Sequence, residues 1–507
     1  MRFSELLADL ALRGVRSRRL TPGELDPEIR ELSQDSRSVP PGALFVAVSG
    51  MRTDAHELVD DAARGGAMAL LLQREVPVPD GCAAAVVEDT RFALGIAASS
   101  LAGHPTEELT MIGITGTDGK TTTSLLTVEA LRACGVAAGG MNSLEFRSLD
   151  EVEPNPTYLT TLDAPVIQAR MRRLLDAGVT TAVLETTSHG IAQHRLSGVA
   201  FDIAAYTNLT HEHLDFHGSL EEYRDVKLRL AEMARQSPRK PGVPKAIVYN
   251  ADEPAWASLG SSPTDRRVTY GMHSDSDLWP ENVEARIDGI SFRLGGSGKG
   301  IAVKLPLTGR FNVQNALCAL AICHVLDLPL HNAAEGLGRA RGLRGRMQVL
   351  DAGQPFAIII DYAHTPDGLA QVLQELRPLT PGRLLVVFGA PGDRDQSKRA
   401  LMGGAVGAAA DEFIITADDP RHESIDEISA AVAQGAAAAG RTEGSDFDRI
   451  ADRRQAIREI IGRARPGDTV LLAGKGHEDR LLVGAEVLPW DEAAEAQAAV
   501  ESLGRPG

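Results

Sequence analysis

Residues 109–135 restrict the fold of this chain more than any other stretch. The apolar run Leu109-Thr-Met-Ile-Gly-Ile114 leads into Thr115-Gly116-Thr117-Asp118-Gly119-Lys120-Thr121-Thr122. Leu125, Leu126, Val128 and Leu131 then recur at helical spacing up to Gly135. The short apolar run reads as a buried strand, the later spacing as a helix packed on it, and Gly135 as the helix stop. A strand joined to a helix by so tight a glycine turn begins a β–α–β unit, which points the chain toward an α/β fold. The turn also carries chemistry. Its glycines let backbone N–H groups converge on phosphate oxygens, and the helix that follows aims its positive N-terminal dipole at them. Lys120 would reach the β- and γ-phosphates, and Thr121 would help hold Mg²⁺. The spacing is not the standard G-x-x-x-x-G-K-[ST]: Ile114 stands where the first glycine belongs, and Gly113 and Gly116 precede the Gly119-Lys120 pair. The bland alternative is a glycine-rich turn that binds nothing.

A chain of 507 residues divides into two to four domains. Residues 1–105 mix helical stretches with the strand-like runs Leu44–Val48 and Ala84–Val87, and the turn-rich Gly103-His-Pro-Thr106 reads as a linker. Residues 106–338 form a second block around the phosphate loop. Periodicity fades near residues 335–345, which places a third block at 339–507. There the runs Ala357–Ile360, Leu384–Phe388, Phe413–Thr416 and Val470–Ala473 alternate with helical stretches, as in a parallel sheet flanked by helices. Each run ends in a polar or glycine-rich cluster, at Asp361, Gly389–Arg394, Asp418–Arg421 and Gly474–Glu478. Ligands of open α/β sheets bind beyond the carboxyl ends of the strands, so these four clusters mark a candidate site.

A formal net charge of −17 disfavours a nucleic-acid partner, which needs a surplus of Lys and Arg on the contact face. No apolar run approaches the ~20 residues of a membrane span, and residues 1–20 lack the pattern of a signal peptide. Cys82, Cys134, Cys318 and Cys323 form no C-x-x-C pair and lie in apolar segments, as buried free thiols do. A cytoplasmic protein without membrane insertion is expected.

Further motifs follow the loop in order. Val183-Leu-Glu185-Thr-Thr-Ser-His189 ends a strand with a carboxylate, and Thr207-Asn-Leu-Thr-His-Glu-His213-Leu-Asp215 ends another. Lys227 comes fourteen positions after His213. Alone, His213 would read as a packed or solvated side chain and Lys227 as a surface lysine on a helix. With the loop G-x-T-G-T-x-G-K-T-T-T, however, the set resembles the Mur ligases, which build the cytoplasmic peptidoglycan precursor. The resemblance covers nearly the whole chain. It implies three domains: an N-terminal UDP-binding α/β domain, a central P-loop ATPase domain with a parallel sheet, and a C-terminal Rossmann-like domain.

It also implies roles. Gly113, Gly116, Thr117, Asp118, Gly119, Lys120, Thr121 and Thr122 would surround the ATP phosphates, although most members carry Asn where this chain has Asp118. Thr121, Glu185, His213 and a carbamylated Lys227 would hold two Mg²⁺ ions. Asn312, in Gly309-Arg-Phe-Asn312-Val-Gln-Asn315, would meet the adenine. Arg346 would contact phosphate, Asp361 the ribose, His364 the nucleotide and Lys398 the γ-phosphate. A surface charge run is the alternative for the cluster around Lys398.

Several features resemble the MurE type, which adds a diamino acid to UDP-MurNAc-L-Ala-D-Glu. Asp35-Ser36-Arg37 resembles its UDP-binding segment. Thr160, Thr161, Thr187, Gln193 and Arg195 resemble its contacts to the nucleotide-linked dipeptide. Asp418-Asp419-Pro420-Arg421 resembles a D-N-P-R motif for meso-diaminopimelate, with Arg394, Gly474 and Glu478 as further contacts. An Arg is the natural bidentate partner for the distal carboxylate that lysine and ornithine lack. Asp419 departs from the motif, and Asp there accompanies lysine-like substrates. Meso-diaminopimelate is the first choice, with lysine or ornithine the alternative. A folylpolyglutamate-type ligase, a P-loop kinase and a non-catalytic nucleotide-binding regulator are remoter readings. A monomer is expected, as is closure of the C-terminal domain during turnover.

Overall fold

The computed structural model describes residues 1–50, 53–157, 159–210, 214–340 and 343–503, and the side chains of residues 214 and 215 stand outside that description. The chain forms two compact units. The first comprises residues 1–279, 295–301 and 314–336, and the second residues 280–294, 302–313 and 337–507.

The first unit holds two sheets. The run near residue 44 is the strand Ala43–Val46, buried throughout, with Ala67–Leu72 and Ala83–Val87 beside it in a five-stranded sheet. One edge strand, Ser17–Arg19, pairs antiparallel with Ala83–Val87. The second sheet has eight strands, with Thr110–Thr115 near its middle between Ile203–Tyr206 and Thr181–Glu185, all three parallel. Strands buried on both faces are near-continuous apolar runs because helices cover both sides. The helix Lys120–Ala133 follows the loop and ends where expected: Gly135 takes φ +80°, and the Val136 N–H returns to the Leu131 carbonyl.

The segment 103–106, read as a linker, is packed instead. The Thr106 hydroxyl donates to the Gly198 carbonyl and accepts the Ala200 N–H, and a Cβ at Gly95 would lie 2.5 Å from the Ser197 carbonyl oxygen. These bonds tie the segment into the first unit. The cysteine expectation also needs one change. All four thiols are free, but Cys134 is only half-buried.

In the second unit all four apolar runs become strands of one six-stranded sheet, Ala357–Asp361, Thr469–Ala473, Leu384–Phe388 and Glu412–Ile415 in spatial order. Every pair among these neighbours is parallel. Their carboxyl ends therefore lie along one edge, and the four polar clusters gather there. A three-stranded antiparallel sheet built from residues 280–305 belongs to this unit as well. No helix among the described residues is long and apolar enough to cross a membrane.

Candidate active site

The phosphate loop owes its shape to two glycines. Gly116 has φ +147°, and a Cβ there would lie 1.8 Å from Thr207 Oγ1. Gly119 has φ +77°, and its Cβ would lie 2.2 Å from Asn315 Oδ1. No other residue fits either position without moving the neighbouring chain. Gly113 is different. It stands inside the strand Thr110–Thr115, where a Cβ would press on the Phe201 ring at 2.9 Å. Its bareness answers to packing beneath the loop. The neighbouring segment 207–210 clamps the loop: Thr207 donates its hydroxyl to the Asp118 carbonyl, Asn208 Oδ1 accepts the Asp118 N–H, and the Asn208 carbonyl accepts the Thr117 N–H. The Asp118 side chain is exposed, and the Thr210 hydroxyl approaches it at 3.5 Å. That orientation accounts for how a carboxylate is tolerated in this turn. Lys120 Nζ donates to the Thr117 carbonyl at 2.6 Å.

Beyond the loop, oxygens converge. Thr121 Oγ1 lies 3.1 and 3.0 Å from the two oxygens of Glu185, and the Ser143 N–H and hydroxyl each donate to Glu185 Oε2 at 2.9 Å. Glu185 is buried at the end of its strand. A hydroxyl beside one carboxylate at a phosphate loop suits Mg²⁺, which takes oxygen ligands and completes its shell with substrate phosphates and water. His213 lies outside the described residues. Among the described residues no group of three or more His, Cys, Asp and Glu gathers as a metal cage.

Lys227 is not a surface lysine. It is 1% exposed on the helix Leu220–Gln236, its amine donates to the Gly116 carbonyl at 2.6 Å, and it sits over the Tyr223 ring at 4.4 Å. The Tyr223 hydroxyl lies 3.3 Å from Thr117 Oγ1, and the Tyr223 ring lies 5.1 Å from that of His217, whose Nε2 meets Ser188 Oγ at 2.9 Å. Sequence reading overlooked Tyr223 and His217, which carry no motif of their own.

The residues predicted for the dipeptide also cluster. Thr161 is the hub: its hydroxyl donates to the Glu185 carbonyl and accepts the Thr187 N–H, and its carbonyl accepts from Arg195. Thr187 caps the helix Ser188–Ala192 through the Gly190 N–H. Thr160 meets Ser143 Oγ at 3.2 Å, and Gln193 follows at the helix end, half-buried. Asp163 joins Arg195 at 3.4 Å to Gln34 at 3.1 Å, which brings the turn holding Ser36 into the same neighbourhood.

In the second unit, Asp361 is buried at its strand end. It accepts the Met347 and Ala363 N–H groups, and burial raises its carboxyl against the lowering pull of Arg346. Arg346 stacks 4.7 Å from the centre of the Tyr362 ring, with its Nε buried and without a partner among the described residues. His364 is held by the Tyr362 carbonyl at 2.7 Å. Asn312 is buried and donates to the Thr308 carbonyl at 2.7 Å. Lys398 and Arg394 are both exposed.

The Asp418–Arg421 loop is held tightly. Asp419 and Arg421 both take left-handed backbone, at φ +46° and +52°. The Gly392 N–H donates to the Asp419 carbonyl, and Arg421 exchanges backbone bonds with Leu482 and Gly484. Gly474 has φ +106°, and a Cβ there would lie 2.5 Å from Asp418 Oδ2. Pro420 is buried between these residues, while Arg421 keeps a buried Nε with no partner among the described residues. Burial raises Asp418, with Arg453 and Lys475 pulling the other way. Glu478 accepts from the Tyr362 hydroxyl at 3.3 Å and from Lys475.

One residue beneath this loop gave no sequence signal. Arg453, fully buried, donates to the carbonyls of Ala417 at 3.2 Å and Ala473 at 2.7 Å, and pairs with buried Glu492. Trp490 Nε1 donates to the same Glu492. One guanidinium thus ties together the two strand ends from which Asp418 and Gly474 emerge.

Two family models match this architecture: the Mur ligase middle domain over residues 114–323, and the Mur ligase, glutamate ligase domain over residues 345–476. The chain belongs to the Mur ligases. The ligase is 42% identical to the UDP-N-acetylmuramyl-tripeptide synthetase of Roseiflexus sp. (strain RS-1), over 95% of this chain and 96% of that one. It is 39% identical to the UDP-N-acetylmuramoyl-L-alanyl-D-glutamate–2,6-diaminopimelate ligase of Bacillus licheniformis, again over 95% and 96%. A solved 2,6-diaminopimelate ligase of that description superposes with a TM-score of 0.68 at 32% identity, covering 94% of this chain and 96% of its own. The three-domain α/β arrangement expected from sequence agrees with these matches, and as a Mur ligase the protein is an ATP-dependent enzyme that forms an amide.

Proposed function

We propose that this ligase adds meso-2,6-diaminopimelate to UDP-MurNAc-L-Ala-D-Glu, with cleavage of ATP to ADP and phosphate. The names of its relatives support the nucleotide-linked dipeptide as acceptor. One observation carries the choice of amino acid. Arg421, at the carboxyl edge of the second unit's sheet, keeps a buried Nε that none of the described residues satisfies. A buried cationic donor without a partner is costly, and a distal carboxylate would complete it. The reading divides the chain at 1–105, 106–338 and 339–507 into UDP-binding, ATP-binding and amino-acid-binding domains, in a cytoplasmic monomer.

The chemistry is two displacements. A D-Glu carboxylate oxygen attacks the γ-phosphorus of ATP, the bond to the β-phosphate oxygen breaks, and an acyl phosphate forms with ADP leaving. The amine of the diamino acid then attacks the acyl carbon. The tetrahedral intermediate expels phosphate, and the amine proton passes to solvent or to the leaving phosphate. The first step brings two anions together, so the protein's part is positioning and charge neutralisation. Lys120 meets the β- and γ-phosphates, Arg346 and Lys398 meet phosphate, and the loop N–H groups hold the chain of phosphates still. Asp361 and His364 orient the ribose and nucleotide, and Asn312 the adenine. Thr160, Thr161, Thr187, Gln193 and Arg195 orient the dipeptide, and Ser36 the uridine end. Arg394, Asp418, Arg421, Gly474 and Glu478 hold the amino acid. Thr121, Glu185, His213 and a carbamylated Lys227 are the residues for two Mg²⁺ ions, which when bound neutralise the phosphates and polarise the transferring group.

The test is phosphate release with ATP and UDP-MurNAc-L-Ala-D-Glu, with and without each of meso-diaminopimelate, L-lysine and L-ornithine. Release that requires both the dipeptide and meso-diaminopimelate supports the reading. Release with lysine or ornithine in preference overturns the choice of amino acid. Phosphorylation of the acceptor without an amine requirement overturns the ligation itself.

A further inference from the structure

We propose that Lys475 determines specificity in this ligase: its ammonium occupies Asp419, so the loop at 418–421 reads the amino acid's distal end through Arg421 instead of through a carboxylate. The inference rests on the reading that this loop receives the amino acid.

Lys475 follows the strand Thr469–Ala473, between Gly474 at φ +106° and Gly476 at φ +49°. Those two positive angles turn the chain back on itself, and Lys475 is left with no exposed surface. Its Nζ donates to Asp419 Oδ1 at 2.8 Å and to Glu478 Oε2. Asp419 Oδ1 accepts a second bond, from the Leu482 N–H at 3.0 Å. Burial pulls the Lys475 amine down, but Asp418, Glu478 and Asp419 together hold it above its usual range, so it stays charged.

The charge balance follows. Asp419, the residue that departs from the D-N-P-R pattern, would offer a substrate ammonium an attractive carboxylate only if its own charge were uncompensated. Here a full positive charge on a fully buried amine lies against it, with the Asp419 side chain itself only 13% exposed, where such pairs interact more strongly than in open water. One oxygen is tied to both the ammonium and a backbone N–H. Asp419 is left acting as Asn would, a polar group that braces the loop. Among the described residues Arg421 has no such partner for its Nε. Removing the ammonium leaves Asp419 and Glu478 uncompensated, and the pocket then favours an amino acid that ends in an ammonium with no carboxylate beside it.

The experiment uses the full-length enzyme with saturating ATP and UDP-MurNAc-dipeptide. It compares kcat/KM for meso-diaminopimelate and for L-lysine in the wild type, Lys475→Met, Asp419→Asn, the double variant and Arg421→Ala. Lys475→Met is expected to shift the ratio about tenfold or more toward lysine, Asp419→Asn alone by less than about threefold, and the double variant to return most of the shift. A Lys475→Met enzyme that loses both activities equally, with no reversal by Asp419→Asn, overturns the proposal. If Lys475→Met does not fold by thermal unfolding, Asp419→Asn alone decides, since a shift of about tenfold there means that Asp419 faces the substrate directly. Failure of the underlying reading has a separate signature: Arg421→Ala leaves the KM of both amino acids unchanged.

Discussion

At residues 115–121 the shape of the site comes from backbone that no side chain could replace, whereas at 418–421 and 474–478 it comes from charged side chains that offset one another. Gly116 and Gly119 are bare because Thr207 and Asn315 stand where a Cβ would go. The 418–421 and 474–478 segments also use positive φ, at Gly474 and Gly476 and in addition at Asp419 and Arg421, where left-handed backbone is unfavourable for a side chain. Ion pairs hold them there: Lys475 on the partly exposed Asp419, and below it the fully buried Arg453 on Glu492. A backbone cradle is rigid and indifferent to its neighbours' charges. A cradle of compensating charges is tunable, since one substitution changes what the pocket attracts.

The largest expected effect breaks the first half of that contrast. Lys120→Ala should lower kcat by about 10³-fold, because the phosphates lose their main positive partner while the glycine turn survives. Steady-state phosphate release measures it, and near-normal turnover would remove the loop from the chemistry. Next comes the support of the second cradle. Arg453→Met leaves Glu492 buried without a cation and should cost about 3 kcal/mol or more, seen as a lower thermal midpoint, while Arg453→Met with Glu492→Leu should recover much of it. A single variant as stable as the wild type would mean that the pair does not brace the loops. Arg421→Ala should weaken use of meso-diaminopimelate by about 10- to 100-fold relative to lysine, the worth of one bidentate charged contact. Equal losses for both would deny it the selecting role.

The smallest effect concerns His477, beside Glu478. Burial, with Arg346 and Arg344 nearby, lowers its imidazole to about 3. The folded ligase therefore keeps it neutral while the unfolded chain takes up a proton near the usual value of 6.5. Its contribution is complete above pH 6.5 and is lost progressively as pH falls toward 3. His477→Gln should flatten the change in unfolding free energy, from urea titrations, between pH 7.5 and 5 by about 1–2 kcal/mol. An unchanged slope would place the imidazole in contact with solvent.

Local signals made much of this legible in advance. The strand–turn–helix at 110–133, the four strands of the second unit and the polar cluster at each of their ends follow from apolar runs and glycines, which act over a few residues. The turn at 103–106 gave no hint that it is packed, because the bonds of Thr106 to Gly198 and Ala200 span some ninety positions. Lys227 looks like a surface lysine in sequence because its neighbours are polar, and only the fold carries its amine to the Gly116 carbonyl. Gly113 reads as part of a phosphate motif, yet its reason lies in Phe201, which packs against it.

Sequence by itself determined where backbone must bend and which segments must be buried, since φ preferences and apolar periodicity are properties of neighbouring residues. It also carried the family likeness, which lives in short contiguous motifs. Tertiary structure alone decided which charges meet. Asp419 and Lys475 are fifty-six positions apart, Arg453 and Glu492 thirty-nine, and Thr121 and Glu185 sixty-four. Electrostatic compensation depends on distance in space and on burial, and neither is written in the order of the residues. The motif at 418–421 is therefore hybrid as a string of letters and consistent as a site, because the ammonium that neutralises its odd carboxylate arrives from another strand.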